Sequence, residues 1–193
     1  MKVGVLSVQG AVSEHLHQIK CCNVEALAVK NCETLNTVSG LIIPGGESTT
    51  IGKLIEIFGL AELIRTRSLQ GSLAVFGTCA GMVLMAKEIL DGIKEQPKLG
   101  IMDISVQRNA FGRQRESFET ELQFDTLDTP LIAVFIRAPI IETVGPGVEV
   151  LATLAEGIVA ARQGNLLATS FHPELTDDLR VHQYFIEICR NIK

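Results

Sequence analysis

Apolar residues follow two rhythms along this chain. Up to Leu90, short runs that are apolar almost throughout alternate with longer stretches in which apolar positions recur every three or four residues. VGVLSV (Val3–Val8) is such a run, closed by Gln-Gly. VEALAV (Val24–Val29), GLIIPGG (Gly40–Gly46) and LAVFGT (Leu73–Thr78) are others, and each predicts a strand. Between them, AVSEHLHQIKCC (Ala11–Cys22) sets Val12, Leu16 and Ile19 at helical spacing. TTIGKLIEIF (Thr49–Phe58), LAELIRTRSL (Leu60–Leu69) and AGMVLMAKEIL (Ala80–Leu90) predict three more helices. Strands buried on both faces and alternating with helices imply a mostly parallel sheet covered by helices on both sides.

After Leu99 the rhythm changes. IMDISVQRN, FETELQF, IAVFIRAP, VEVLATL, GIVAARQG and LLATSFHP are strand-like and separated by short turns, so they predict antiparallel hairpins attached to the parallel sheet. An amphipathic helix from Asp177 to about Asn191 closes the domain, with Leu179, Phe185, Ile186 and Cys189 turned to the core. The fold class is therefore α/β: one domain over residues 1–193, a mostly parallel, doubly wound sheet with antiparallel additions.

Composition narrows what such a domain can do. With 47% hydrophobic residues the chain can bury a large core, and a net charge of −5 gives no electrostatic reason for binding nucleic acid or an anionic membrane. Arg108, Arg113, Arg115 and Arg137 are spread among apolar residues and acids rather than clustered. No apolar run approaches the roughly 18 residues of a membrane span. MKVGVLSVQG has Gly and Gln where a signal peptide needs a longer apolar core, so the expected compartment is the cytoplasm. The five cysteines are Cys21, Cys22, Cys32, Cys79 and Cys189; their odd number, irregular spacing and lack of C-x-x-C argue against a disulfide framework and against a metal site.

Three loops that follow strands carry unusual residues, and ligand sites in such sheets lie outside the carboxyl ends of the strands. GTCAG (Gly77–Gly81) is the thiol form of a nucleophile elbow. Gly77 and Gly81 allow a tight turn with a closely packed helix. Cys79 then stands at a helix start, where free N–H groups favour a thiolate and Ala80 N–H could hold an oxyanion. Alone, the motif fits a packed cysteine equally well. SFHPE adds His172 and Glu174, two residues apart, which project from one face of an extended segment; Pro173 stiffens it. A carboxylate beside an imidazole fixes its tautomer, the orienting role in a nucleophile–base–acid triad. His15, His17 and His182 have no such company and read as ordinary core or surface residues. PGGESTT is a strand-to-helix loop in which Ser48 or Thr49 could cap the helix and two glycines let the backbone approach a ligand; it is not a P-loop.

Together, the elbow cysteine, FHPE and the PGG loop resemble the triad-type (class I) glutamine amidotransferases, whose glutaminase domains have a flavodoxin-like fold. VQGAVSEH, PGGESTT, FGTCAGM, RNAFGRQ, SFE, FIRAP and SFHPELTDD resemble, more narrowly, the glutaminase subunits of pyridoxal 5′-phosphate synthase, and they span Val8 to Asp178 in order. The resemblance implies a triad of Cys79, His172 and Glu174. It implies L-glutamine contacts from Gly46, Glu47, Ser48, Arg108, Ile136 and Arg137, which suits a substrate carrying a carboxylate and an ammonium. Gly46, with Gly45 second, would complete the oxyanion hole beside Ala80. The implied partner is the synthase subunit in a hetero-oligomer. No cofactor is implied for this chain, pyridoxal 5′-phosphate being the product of the complex. Three other readings differ in what they require: a glutaminase serving another synthase, a non-catalytic elbow-cysteine regulator, and a peptide or ester hydrolase on the same elbow.

Overall fold

A computed structural model describes residues 1–92, 96–108, 110–111 and 117–192. Arg113, Arg115, and Asn109, Gly112 and Gln114 of RNAFGRQ lie outside the described residues. The first half alternates strands and helices: β1 (Lys2–Leu6), α1 (Val12–Cys21), β2 (Glu25–Val29), α2 (Cys32–Asn36), β3 (Gly40–Ile43), α3 (Ser48–Ile57), α4 (Leu60–Leu69), β4 (Ala74–Thr78) and α5 (Ala80–Met85). The second half is mainly strands: β5 (Ala86–Ile89), β6 (Met102–Gln107), β7 (Ser117–Leu122), β8 (Leu131–Ile136), β9 (Ile140–Val144), β10 (Glu149–Leu154), β11 (Gly157–Gln163) and β12 (Leu166–Thr169). A 3₁₀ turn (Pro173–Leu175) and α6 (Arg180–Arg190) end it.

The order β2-β1-β3-β4-β12 is parallel throughout and is the flavodoxin-like arrangement. Beyond β12 the sheet continues through β11, β9, β6 and β5, where β11 and β9 run antiparallel to their neighbours and β5 and β6 are parallel to each other. Successive side chains of the central strands divide between two cores, as the strand period of two requires. Leu6, Leu41, Ile43 and Val75 pack with Ile51, Ile55, Leu60 and Ile64 of α3 and α4. Val3, Val5, Ile42 and Phe76 pack with Ile19 of α1, Phe185 and Ile186 of α6, and Phe135 of β8. Burial of each such side chain is worth about 1.5–3 kcal/mol, which is what holds both helical layers to one sheet.

Several elements depart from the sequence pattern. The helix predicted over Ala80–Leu90 stops at Met85. The Leu84 carbonyl accepts the Leu99 N–H at 2.7 Å, taking the place of a helical donor four residues on, and Ala86–Ile89 pairs with β6 instead. α2 was not expected; it is five residues long, too short to show a period, and its signal is Asn31, whose side chain accepts the Thr34 N–H at 2.9 Å. β9 was also missed, its polar Glu142 and Thr143 masking a strand bonded to β6. FETELQF and IAVFIRAP pair with each other in a separate two-stranded sheet rather than joining the large one. LLATSFHP is not simply a hairpin arm, since β12 runs parallel to β4 on its other side. The last helix starts at Arg180, because the Asp178 carboxylate accepts the Arg180 N–H at 3.0 Å and binds its guanidinium. Phe185, Ile186 and Cys189 are buried as expected, whereas Leu179, outside the helix, is half-buried.

The elbow glycines meet backbone, as their motif requires. A Cβ at Gly81 would lie 2.1 Å from the Ile43 carbonyl oxygen, and one at Gly77 would lie 2.5 Å from the Gly81 carbonyl carbon. Gly81→Ala is therefore expected to destabilise the fold by about 1–3 kcal/mol, because the helix must move off β3. Urea denaturation checks this; an unchanged midpoint would mean that the helix start is not held by this contact.

Candidate active site

Because β3, β4 and β12 lie side by side and parallel, their carboxyl ends open on one edge, with Ile43 beside Gly77 and Thr78 beside Thr169. The loops that follow bring Pro44–Ser48, Cys79 and His172 to one place. Cys79 sits at φ 49°, ψ −102°, a conformation rare for a residue with a side chain and costing on the order of 1–3 kcal/mol. Its backbone is pinned by an N–H bond to Thr169 O at 2.8 Å and by the Val83 N–H on its carbonyl. The half-buried sulfur lies 3.8 Å from the Ile136 carbonyl oxygen.

His172 donates its backbone N–H to Val134 of β8 at 2.8 Å. Its Nδ1 lies 2.7 Å from Glu174 Oε1, and both side chains are buried. The two residues do not share the extended segment that the sequence predicts. Pro173 opens a 3₁₀ turn, and that turn folds the carboxylate back onto the ring. A carboxylate can only accept, so the proton is assigned to Nδ1, and Nε2 is left to Cys79. Burial opposes charge on His172, but hydrogen bonds with Cys79 and Glu174 and their negative charge outweigh it, and its pKa is pushed up to about 10.

A cavity of about 520 Å³ opens over the sulfur. Every residue expected at the site lines it except Glu174, which lies behind His172. The glycine loop is close enough that a Cβ at Gly45 would lie 2.3 Å from His172 Cε1. The Gly45 N–H is donated to Thr78 Oγ1 at 3.0 Å. The helix cap in this loop is neither Ser48 nor Thr49 but Glu47. Its carboxylate accepts the N–H groups of Thr49 and Thr50 and the Thr50 hydroxyl, and although desolvation pushes the other way, these bonds hold its pKa below the usual value. Arg108 donates to Gln96 Oε1 at 3.0 Å, and Gln96 donates to the buried Ser48 hydroxyl at 3.3 Å. Ile136 and Arg137 also line the cavity, with Arg137 at φ 45°.

Gln96, Thr78, His15 and His182 are among the residues near the site that the sequence pattern does not single out. Gln96 gives no signal in the sequence. His15 does, because Val12, His15 and Ile19 fall on one helical face, and His15 is completely buried. Its Nδ1 lies 2.9 Å from Nε2 of the equally buried His182. His15 and His182 therefore have company after all, while His17 remains exposed. Burial lowers the pKa of both, that of His182 to about 4.

The model of the SNO glutamine amidotransferase family matches residues 5–191. The chain belongs to the SNO glutamine amidotransferase family. It is 57% identical over 193 residues to a protein of Niallia circulans named pyridoxal 5′-phosphate synthase subunit PdxT, with all of both chains covered. It is 57% identical over 190 residues to the protein of that name from Pelotomaculum thermopropionicum, covering 98% of this chain and 95% of the other. A solved structure described as a glutamine amidotransferase superposes with a TM-score of 0.93 at 52% identity, covering 97% of this chain and 98% of that one. In this amidotransferase the described loops put a thiol, an imidazole and a carboxylate in series beside a cavity with charged walls.

The buried histidines give stability a maximum in pH. His182 is held neutral, so its contribution is complete above its ordinary value of 6.5 and is lost as pH falls from there to about 4. His172 is held charged, so its contribution is complete below 6.5 and is lost as pH rises to about 10. Urea midpoints measured from pH 4 to 10 are expected to peak near neutral pH. His182→Phe is expected to flatten the acid side, and an unchanged acid slope in that variant would contradict the assignment.

Proposed function

We propose that this chain is the glutaminase subunit of a pyridoxal 5′-phosphate synthase, hydrolysing L-glutamine to L-glutamate and ammonia and passing the ammonia to a partner synthase subunit in a hetero-oligomer. The observation that carries the reaction is the buried His172–Glu174 pair set against the strained elbow of Cys79 in a single cavity. The biosynthetic role is supported by full-length relatedness to subunits of that name. Residues 1–193 act as one glutaminase domain, and five free cysteines favour the cytoplasm as its compartment.

In this reading the Arg108 guanidinium takes the α-carboxylate of glutamine, with Arg137 beside it, and the Glu47 carboxylate takes the α-ammonium. Gly46, Ser48 and Ile136 shape the space around the side chain. The Cys79 thiolate attacks the side-chain amide carbon, and the oxyanion is held by backbone N–H groups. Ala80 and Gly46 are the donors we assign, since the Gly45 N–H is already committed to Thr78. The carbon–nitrogen bond breaks as His172 gives its Nε2 proton to the departing nitrogen, releasing ammonia and leaving a γ-glutamyl thioester. A water molecule then loses a proton to His172 and attacks the thioester, releasing glutamate and restoring the thiolate. Glu174 holds the ring in one tautomer through both steps. Ammonia that escapes to solvent takes up a proton and stops being a nucleophile, so a partner seated over the mouth is part of the chemistry.

Glutamate release from glutamine, measured with the synthase subunit present, tests this. Cys79→Ala is expected to lower kcat by about 10⁶-fold, and full activity in that variant would end the triad reading. Arg108→Ala is expected to raise KM by roughly tenfold or more, as befits the loss of a charge-assisted bond worth about 1.5–3 kcal/mol. An unchanged KM would remove Arg108 from the substrate site.

A further inference from the structure

Helix α1 carries an imidazole to the back of the triad. His15 Nε2 lies 3.4 Å from Glu174 Oε2 and 3.3 Å from Thr78 Oγ1, while its Nδ1 lies 2.9 Å from His182 Nε2. Glu174 spends its other oxygen on His172. Neither Glu174 Oε2 nor His182 Nδ1 has a hydrogen bond of ordinary geometry among the described residues.

Proton counting and the repulsion between lone pairs favour one arrangement. A neutral His15 has one N–H to give, and it is kept neutral by burial and by the neighbouring His182 and His172. With the proton on Nδ1, its Nε2 lone pair could accept the Thr78 hydroxyl but would also face Glu174 Oε2, lone pair to lone pair, at 3.4 Å. With the proton on Nε2, it lies between Thr78 Oγ1 at 3.3 Å and Glu174 Oε2 at 3.4 Å, and Nδ1 accepts the Nε2–H of His182. The nitrogen then left over, His182 Nδ1, is a bare acceptor, in keeping with its lack of a partner. The same cluster meets the glycine loop, since Thr78 Oγ1 accepts the Gly45 N–H.

We propose that His15 is a positioning residue for the triad: its Nε2–H, with the tautomer set by His182 and shared with Thr78 Oγ1, faces one oxygen of Glu174 and steadies the carboxylate electrostatically, so that the other oxygen keeps His172 aimed at Cys79. This rests on the glutaminase reading above and adds to it a residue from α1 and one from α6.

Two substitutions separate positioning from packing. In His15→Asn the amide reaches only the Nδ1 position facing His182, so the donor to Glu174 is lost. In His15→Gln the amide nitrogen falls near Nε2 and the donor is kept. Glutamate release with the synthase subunit present, and iodoacetamide alkylation of Cys79 in the full chain across pH 5–10, are measured for both variants and wild type. H15N is expected to lower kcat by about 10- to 100-fold with little change in KM, and H15Q to recover most of that loss. The upper inflection of the alkylation profile, set by His172, is expected to move to lower pH in H15N and to stay in place in H15Q. Wild-type kcat in H15N, or equal losses in both variants with an unmoved alkylation profile, would overturn the proposal. If the wild type released no glutamate, the glutaminase reading would fall, and the alkylation profiles would still decide for or against His15.

Discussion

The site depends on keeping a charged imidazole and a carboxylate together inside the protein. Breaking a buried ion pair by removing one member costs roughly 3–5 kcal/mol, because the other is left charged and unpaired. The His172–Glu174 bond of 2.7 Å is therefore a constraint on everything around it. The chain meets that constraint with backbone. The 3₁₀ turn at Pro173 sets the spacing, the bond from His172 N–H to Val134 fixes the segment against β8, and the imidazole of α1 stands behind the carboxylate.

Topology supplies the rest of the geometry. Three parallel strands in adjacent positions release their loops at one edge, so residues as distant in sequence as Gly45, Cys79 and His172 become neighbours without any long excursion. Close approach then sets residue type. Gly45 lies against the His172 ring, and Gly77 and Gly81 lie against backbone, so a side chain at any of them would displace the parts it was meant to join. The strain at Cys79 has the same origin: the thiol is turned out of the elbow because the strand behind it and the helix after it are both fixed.

The sequence pattern made much of this legible. Apolar runs and helical spacing located β1 to β4 with α1, α3 and α4, and loop chemistry picked out Cys79, His172 and Glu174 together with the glycine loop. What stayed hidden was decided by contacts distant in sequence. Leu84 gives its carbonyl to Leu99, which ends a helix that local pattern would continue to Leu90. Glu47, expected only to meet substrate, also caps α3, because its carboxylate reaches the Thr49 and Thr50 N–H groups. His15 and His182 belong to helices at opposite ends of the chain, and only the packing of α1 and α6 on one side of the sheet brings the rings together. A histidine on an apolar helical face is visible in a sequence; its partner is not.

Glu174 and Cys79 hold His172 charged inside the fold. Nuclear magnetic resonance titration of the chain with labelled histidines measures it directly. The imidazole of His172 is expected to remain protonated up to about pH 10, far above the 6.5 of a free histidine. A His172 that loses its proton at or below 6.5 would contradict the account, since the carboxylate would then not be holding the ring.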